Sequence, residues 1–164
     1  MREVLTVKKK IHLKTLAISL LIPLLTGILS SLFTGGSADI YKSLKMPPLA
    51  PPSWLFPVVW TVLYILMGIS FYLIWQENSP LKKEAVITYI IQLTLNALWP
   101  LLFFLLQAYL VAFVWLVILW GFILYMILLF KEIRTAAGWL QLPYLLWVTF
   151  AGYLNFSIWY LNRL

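Results

Sequence analysis

The stretch "KMPPLAPPSWLFPVVWTVLYILMG", residues 45–68, decides how this chain folds. It opens with four prolines in six residues, which cannot continue a helix because proline has no backbone N–H and its ring clashes with the preceding turn. An almost unbroken run of apolar and aromatic residues follows. The stretch therefore predicts a stiff loop that leads directly into a tryptophan-containing, membrane-spanning helix.

The composition of the whole chain supports a membrane environment. Of its 164 residues, 63% are hydrophobic and 10% are charged, whereas soluble domains have about 45–50% apolar and about 25% charged residues. Too few charged side chains are present to cover a surface that faces water. The length is that of one domain.

Charge and cysteine content exclude several functions. The absence of cysteine excludes disulfides and thiolate chemistry, and a single histidine, His12, with no carboxylate inside a span predicts no metal site and no cofactor. The net charge of +7 comes from short basic runs between apolar segments. Such runs contact anionic lipid and set topology, so we expect the bilayer as a partner and no nucleic acid.

Five segments have the length and apolarity of membrane spans, which need about 20 residues each. The sequence thus predicts an all-α, polytopic membrane protein with a bundle of five transmembrane helices. A basic flank, residues 1–12, precedes this domain, which covers residues 13–162. The connection at 34–53 exceeds the roughly 2–8 residues that a helical hairpin needs and is typical of a lid. The spans cover about residues 13–33, 54–75, 85–106, 110–130 and 139–161.

The distribution of charge predicts the orientation of a multi-pass protein. Nine of the twelve lysines and arginines fall on the side that carries the N-terminus and the second and fourth loops. This excess predicts a cytoplasmic N-terminus, and the sequence does not identify the membrane. All five acidic residues lie outside the spans, which argues against a proton-coupled pump, because such pumps carry intramembrane carboxylates.

Polar and small residues at helical spacing mark the faces that point into the bundle. They also admit a second interpretation, because amides in membrane helices often only hydrogen-bond a neighbouring helix. On the second, third and fifth spans these residues are Trp60, Tyr64, Met67, Gln92, Asn96, Trp99, Phe103, Gln107, Trp147, Ala151, Asn155 and Asn162.

The tryptophans divide by their position along the spans. Those near span ends are expected to anchor the protein at the membrane interface, namely Trp54, Trp75, Trp139 and Trp159. Trp115 and Trp120 are expected to face lipid or a partner chain. Trp60 and Trp147 lie deeper, beside small or polar neighbours, and are assigned to a ligand pocket.

Three prolines are expected to separate the helices around that pocket. Pro57 lies early in the second span, Pro100 interrupts the third and leaves a carbonyl near Asn96 without its helical partner, and Pro143 bends the start of the fifth. The resulting cavity would be apolar and uncharged, with a few hydrogen-bond donors, and would suit a planar aromatic ligand.

At these residues the sequence resembles the translocator protein (TspO, peripheral benzodiazepine receptor) family. The matching segments are "PPLAPPSWLFPVVWTVLYILMG", "LNALWPLLFF" and "LPYLLWVTFAGYLNFSIWYLN", in the family's order and spacing. The resemblance implies a five-helix bundle, often a homodimer, that binds porphyrins such as protoporphyrin IX. It also implies binding of benzodiazepine and isoquinoline-carboxamide ligands in a pocket under the first loop, and a porphyrin breakdown that needs light and oxygen.

The resemblance also assigns residues to that pocket. It implies polar ligand contacts from Trp60 and Asn96, pocket walls from Trp147 and Ala151, and a lid contact from Tyr41. Tyr64 shares the face of Trp60, and Pro51 belongs to the proline-rich lid hinge, so both join the ligand-binding set. Trp60 and Trp147 are the residues to which we assign a redox role in porphyrin breakdown.

Other functions remain open at the level of sequence. The chain could be a porphyrin-degrading enzyme proper, a transporter or a membrane scaffold. A sterol-binding protein is also open, because Leu154, Tyr160 and Arg163 fit a cholesterol-type pattern, although such patterns are weak predictors.

Overall fold

The computed structural model describes residues 11–34 and 37–163. Most of the predicted basic flank, residues 1–10, lies outside the described residues. All regular elements in the described part are helical. They are α1 (Leu13–Ser31), a 3-10 turn (Leu32–Thr34), α2 (Ser37–Ser43), α3 (Leu55–Trp75), α4 (Lys82–Pro100), a π-helical segment (Leu101–Leu105), α5 (Tyr109–Ile133), α6 (Thr135–Trp139) and α7 (Leu142–Asn162).

Five of these helices, α1, α3, α4, α5 and α7, have 19 to 25 residues and form one bundle. Within the described residues, four segments are long and apolar enough to cross a membrane: Leu13–Thr34, Leu55–Trp75, Lys82–Leu105 and Tyr109–Ile133. The fifth, α7, has the length of a span, but its Trp, Tyr and Asn residues lower its hydropathy. The protein is an all-α polytopic membrane protein, as the sequence predicts.

The helices are arranged in a ring. α1 packs on α3 and α4, α4 packs on α5, and α5 packs on α7. Two edge-to-face ring contacts, Phe56 with Trp147 and Trp60 with Tyr144, join α3 to α7 and close the ring. The packed core lies towards the end of the bundle that carries the loops after α3 and α5, where Ile74, Ala85, Phe130 and Ala137 are fully buried. At the opposite end the helices leave a space between them.

A close crossing holds α1 against α3. Pro23 lies inside α1 and, having no N–H, leaves the carbonyl of Ser19 without its helical partner. Gly68 of α3 lies against this point, because a Cβ added there would be 2.8 Å from both Ser19 O and Leu20 Cα. A side chain of any size on Gly68 would push the two helices apart.

Pro100 marks a change in helix type on the third span. Its missing N–H ends the regular α-helical pattern of α4, and the chain continues as a π-helical segment, Leu101–Leu105. This outcome agrees with the predicted interruption at Pro100. Gln107 follows with a positive φ of 49° and is exposed. The expectation that Gln107 faces the bundle interior is therefore wrong, because the helix ends before reaching it.

The loops contain structure that the sequence pattern does not predict. The connection expected at 34–53 contains the short helix α2, and the turn before the fifth span contains α6. Pro143 falls in the first turn of α7, where proline is tolerated, so the expected bend at Pro143 is replaced by a normal helix start. Arg134 and Glu77 form a 3.0 Å ion pair between the loops after α5 and α3, which lie on the same side of the bundle.

Candidate functional site

A cavity of about 890 Å³ occupies the end of the bundle that carries α2 and the proline-rich loop. Residues from all five long helices line it, together with Tyr41 of α2 and Ser53 and Trp54 of the loop. None of the described residues that line it is charged. Its volume lies in the range of small-molecule sites, which run from about 300 to 1,000 Å³.

The α3 wall of the cavity consists of two stacked rings. Trp60 and Tyr64 are one helical turn apart, and their ring centroids are 5.5 Å apart with an interplanar angle of 29°. Gly27 of α1 leaves the space that Tyr64 fills, because a Cβ at Gly27 would overlap Tyr64 Cε2. The glycine thus fixes where the phenol of Tyr64 lies.

A chain of three polar side chains forms the floor. Tyr64 Oη donates to Asn96 Oδ1 at 2.7 Å, and Asn96 Nδ2 donates to Tyr144 Oη at 3.1 Å. All three residues are at least 93% buried. Asn96 lines the cavity, but both ends of its amide are bound to tyrosines of the protein. These bonds join α3, α4 and α7, and the polar ligand contact expected from Asn96 stays a prediction.

The second amide of the cavity is likewise satisfied. Asn155 of α7 accepts the indole N–H of Trp99 at 3.2 Å and donates to the carbonyl of Tyr109 at 2.7 Å. Trp99 also stacks on Phe103 with centroids 4.9 Å apart. Asn155 therefore connects α4, α5 and α7.

The indole N–H groups of Trp60 and Trp147 have no hydrogen-bond partner among the described residues. Both rings line the cavity, and both are half-buried. The nitrogen of Trp147 is itself buried, whereas Trp60 is held only through its ring contacts with Tyr64 and Tyr144. Because a buried donor without a partner costs about 1–3 kcal/mol, a ligand acceptor that reaches these indoles would gain a hydrogen bond without breaking one in the protein.

Ala151 lies one turn after Trp147 on α7 and also lines the cavity. Tyr41 lines it from α2, and its ring meets Phe56 edge to face with centroids 5.6 Å apart. Together with Trp60, Tyr64, Asn96 and Trp147, these residues line the same cavity, and their roles in ligand binding stay predictions.

Pro51 is the exception in the predicted ligand-binding set. It is not among the cavity-lining residues; its carbonyl accepts a 2.8 Å hydrogen bond from Tyr41 Oη. Burial raises the pKa of the Tyr41 phenol above its usual value of 10.0. The phenol stays protonated below pH 10, so this bond is lost only as the pH rises through that raised pKa. Pro51 positions Tyr41 and does not itself line the site.

Two further contacts fasten the proline-rich loop to α7. The side-chain amide of Asn162 accepts from Lys45 N at 2.9 Å and donates to Lys45 O at 3.1 Å. Tyr153 Oη donates to the carbonyl of Pro48 at 2.9 Å. The loop therefore lies across the cavity end of α7. Directly after Pro48, Leu49 has a positive φ of 69°, a conformation that is costly for a leucine.

The tryptophans expected at the membrane interface have different environments. Trp75 and Trp139 are about half-exposed, and lysines lie over their rings. Trp159 is half-buried at the end of α7, and Trp54, although 65% exposed, also lines the cavity.

Trp115 and Trp120, which are expected to face lipid or a partner chain, also make contacts within the bundle. The indole N–H of Trp115 donates to Leu95 O of α4 at 2.8 Å, and that of Trp120 donates to Thr149 Oγ1 of α7 at 2.9 Å. Both side chains are half-buried. They fasten α5 to its two neighbours in the bundle.

The sterol-type pattern is divided between two faces of α7. Leu154 is 5% exposed and lines the cavity, whereas Tyr160 is 53% exposed. Arg163 lies over the Tyr160 ring at 4.1 Å. Six helical residues turn the chain by about 240°, so Leu154 and Tyr160 do not form one surface.

Two contributors to the site carry little signal in the sequence. Gly27 shapes the floor from α1, and the sequence suggests only a local bend there. Phe56 links Tyr41 to Trp147 through ring contacts, but its spacing relative to Trp60 is equally typical of a packing residue. Only the arrangement of the helices shows these roles.

The fold and the site define a class of protein: a polytopic helical membrane protein with an uncharged, aromatic-walled cavity at one end of its bundle. Comparison with known proteins then places it within that class. The model of the TspO/MBR family matches residues 19–161, and the chain belongs to that family.

Relatives come from bacteria and mammals. The chain is 40% identical over 153 residues to the "Tryptophan-rich protein TspO" of Chlorobaculum tepidum. The matched region covers 90% of this chain and 96% of the relative. It is 37% identical over 147 residues to the "Translocator protein" of Bos taurus, with 87% of each chain covered. "Protein CrtK" of Rhodobacter capsulatus is 37% identical over 140 residues, covering 83% of this chain and 85% of that protein.

Proposed function

We propose that this protein is a membrane receptor or carrier that binds planar, largely apolar ligands in the cavity. Their class is that of porphyrins such as protoporphyrin IX and of benzodiazepine and isoquinoline-carboxamide compounds. The observation that carries the proposal is an uncharged cavity of about 890 Å³ with the indole rings of Trp60 and Trp147 in its wall. Flat aromatic ligands stack on such rings, and their carbonyl or carboxylate oxygens supply the missing acceptors.

The distribution of hydrogen bonds favours recognition by the indoles over recognition by the amides. Asn96 and Asn155 are bound to other groups of the protein, so a ligand would have to break those bonds to use them. Trp60 has no such bond to lose. We therefore assign the polar ligand contact first to Trp60 and then to Trp147.

A titration of the protein in lipid nanodiscs with protoporphyrin IX, followed by quenching of tryptophan fluorescence, tests this assignment. Trp60→Phe keeps an aromatic face and removes the N–H, so we expect the affinity to fall about fivefold, the equivalent of roughly 1 kcal/mol for one hydrogen bond. The thermal midpoint should stay unchanged, because Trp60 donates no hydrogen bond to another described residue. Trp139→Phe, at an exposed indole away from the cavity, is the matched control and should bind as the parent does.

Two results would contradict the proposal. If the parent does not bind the porphyrin, the cavity is not a site for this class of ligand. If Trp60→Phe and Trp139→Phe weaken binding equally, the polar contact lies elsewhere.

A second candidate function is breakdown of the bound porphyrin in light. The observation that favours it is that Trp60 and Trp147 both line the cavity, on α3 and α7, so a ring between them can touch both. The illuminated ring is oxidised, dioxygen is the oxidant that is reduced, and an indole relays single electrons. Replacing both indoles by Phe should slow loss of the porphyrin Soret band in light and leave the dark control unchanged. If the parent and the double variant bleach the porphyrin at the same rate, the two indoles take no part in its breakdown and the protein only binds it.

The proposal also covers the assembly and orientation of the protein. We expect a homodimer and a cytoplasmic N-terminus. Cross-linking in native membranes tests for the homodimer. Labelling of a cysteine introduced at Lys83, in the first turn of α4 on the side expected to carry the N-terminus, tests the orientation.

A further inference from the structure

A second cavity lies on the outer face of the bundle, in the groove between α5 and α7. It has a volume of about 360 Å³, and its lining is almost entirely apolar. In a protein that spans a membrane, an outward-facing groove of this kind is filled from the hydrocarbon region of the bilayer. The groove narrows where Phe113 and Phe156 meet with ring centroids 5.1 Å apart, and where Trp120 donates to Thr149.

The groove and the inner cavity share a wall. Leu116 of α5 and Val148 of α7 line both spaces, so a layer one side chain thick separates them. Both residues are apolar and buried, with 5% and 1% of their surface exposed. A rotamer change in these two side chains, with a small separation of the helices, would join the two spaces without exposing a charge or an unpaired backbone group.

An entrance beneath the proline-rich loop is crossed by more hydrogen bonds than the groove is. The loop is held by the paired amide contacts between Asn162 and Lys45, by Tyr153 on Pro48 and by Tyr41 on Pro51. The groove is crossed by the Trp120–Thr149 bond. A ligand that enters beneath the loop must also pass through water, in which a planar apolar molecule is poorly soluble, whereas the groove opens to the phase that dissolves it.

We infer that the groove between α5 and α7 is a lateral entrance, through which planar apolar ligands pass from the bilayer into the inner cavity by displacing Leu116 and Val148. This inference rests on the proposed function, since it concerns the route of the same ligands. Gly152 lies in the groove, and a Cβ added there meets nothing within 4 Å. It leaves the space through which a ligand reaches the shared wall.

A pair of glycine substitutions tests the entrance without disturbing the core. Gly152→Leu fills the groove, whereas Gly121→Leu, on α5, adds the same side chain at an exposed position that also has nothing within 4 Å and lines neither cavity. Protoporphyrin IX is loaded into the nanodisc lipid, and its association and dissociation are followed by stopped-flow tryptophan quenching. A blocked path alters the barrier but not the end states. Gly152→Leu should therefore slow both rates by the same factor, about threefold or more, at an unchanged dissociation constant.

A second variant should shift the rates in the opposite direction. Trp120→Phe keeps the ring and removes the N–H that binds Thr149, so association and dissociation should both become faster than in the parent. Gly121→Leu should show parental rates throughout.

The possible results separate this inference from the proposed function. Parental rates in Gly152→Leu would overturn the lateral entrance and leave the binding site in place. A weaker affinity in Gly152→Leu with unchanged association would also overturn it, because the groove would then be part of the binding site and not a passage. Absence of binding in the parent would overturn the proposed function and this inference together.

Discussion

Asn96 lines the inner cavity and also holds the bundle together. Its amide joins the phenols of Tyr64 and Tyr144 across three helices. Removal of the amide would leave two buried hydroxyls without partners, each at a cost of about 1–3 kcal/mol. The residue therefore contributes to the stability of the floor.

We expect Asn96→Ala to lower the free energy of unfolding by about 2 kcal/mol or more, seen as a lower thermal midpoint in detergent. Thr94→Ala is the control, since the Thr94 hydroxyl is exposed and donates only to Ile90 O of its own helix. A parental thermal midpoint combined with weaker ligand binding would show instead that the amide contacts the ligand directly.

Ala151 tests whether the α7 wall borders the ligand. Ala151→Leu adds a bulky side chain to a residue that lines the cavity, and overpacking of this kind costs about 1–3 kcal/mol, so we expect roughly a tenfold loss of porphyrin affinity. Ala136→Leu, at an exposed position on α6, should bind as the parent does. Unchanged binding by Ala151→Leu would show that the ligand does not lie against α7 at Ala151.

At the scale of the elements, the contact between α1 and α3 depends on the absence of a side chain at Gly68. A methyl group there would be 2.8 Å from Ser19 O and from Leu20 Cα, so the helices must separate. We expect Gly68→Ala to destabilise the protein by about 1–3 kcal/mol, measured by thermal unfolding. Gly121→Ala, in open space, should be neutral or stabilising, because alanine favours a helix by about 0.5–1 kcal/mol over glycine. Equal effects of the two substitutions would contradict the close crossing.

The loop over the cavity is the second element that can be tested on its own. Asn162→Ala removes both hydrogen bonds to the backbone of Lys45. We expect faster amide hydrogen exchange at Lys45 and its neighbours, with the exchange of α3 unchanged. Thr34→Ala, which removes only a bond to Ser31 O within its own turn, is the control. If the loop exchanges at the parental rate in Asn162→Ala, other contacts hold it in place.

The sequence predicts the long helices well because membrane spans depend on length and apolarity alone, and residues 45–68 carry both signals. It also places Trp60, Tyr64, Asn96 and Trp147 on inward faces, since helical spacing fixes the face. It does not predict which groups an inward-facing amide will reach, because that depends on how three helices pack. For the same reason the sequence does not show that the amides of Asn96 and Asn155 are bound within the protein.

Short elements are the other limit of prediction from sequence. Helix α2 contacts the proline-rich loop through the bond from Tyr41 to Pro51. The π-helical segment follows the point where Pro100 interrupts the α-helical hydrogen bonds. Neither has the length that gives a periodic pattern. Gln107 was misplaced for this reason, since the spacing that places Asn96 inward fails once the helix changes its type.

At the scale of the whole molecule, the bundle is divided by function along its length. One end is packed with fully buried side chains such as Ile74 and Phe130 and is joined across its loops by the pair of Glu77 and Arg134. The other end holds the cavity, the fastened loop and the groove. The five long helices thus combine one closely packed end with one end that holds a cavity.

The central claim is that planar apolar ligands occupy the inner cavity against the indoles of Trp60 and Trp147. The most direct test is an experimental structure of the protein in lipid with protoporphyrin IX bound. The account predicts one ring system per chain between α3 and α7, in contact with both indoles and with one of its oxygens within hydrogen-bond distance of Trp60 Nε1. A porphyrin found only on the outer, lipid-facing surface, with the inner cavity unoccupied, would contradict it.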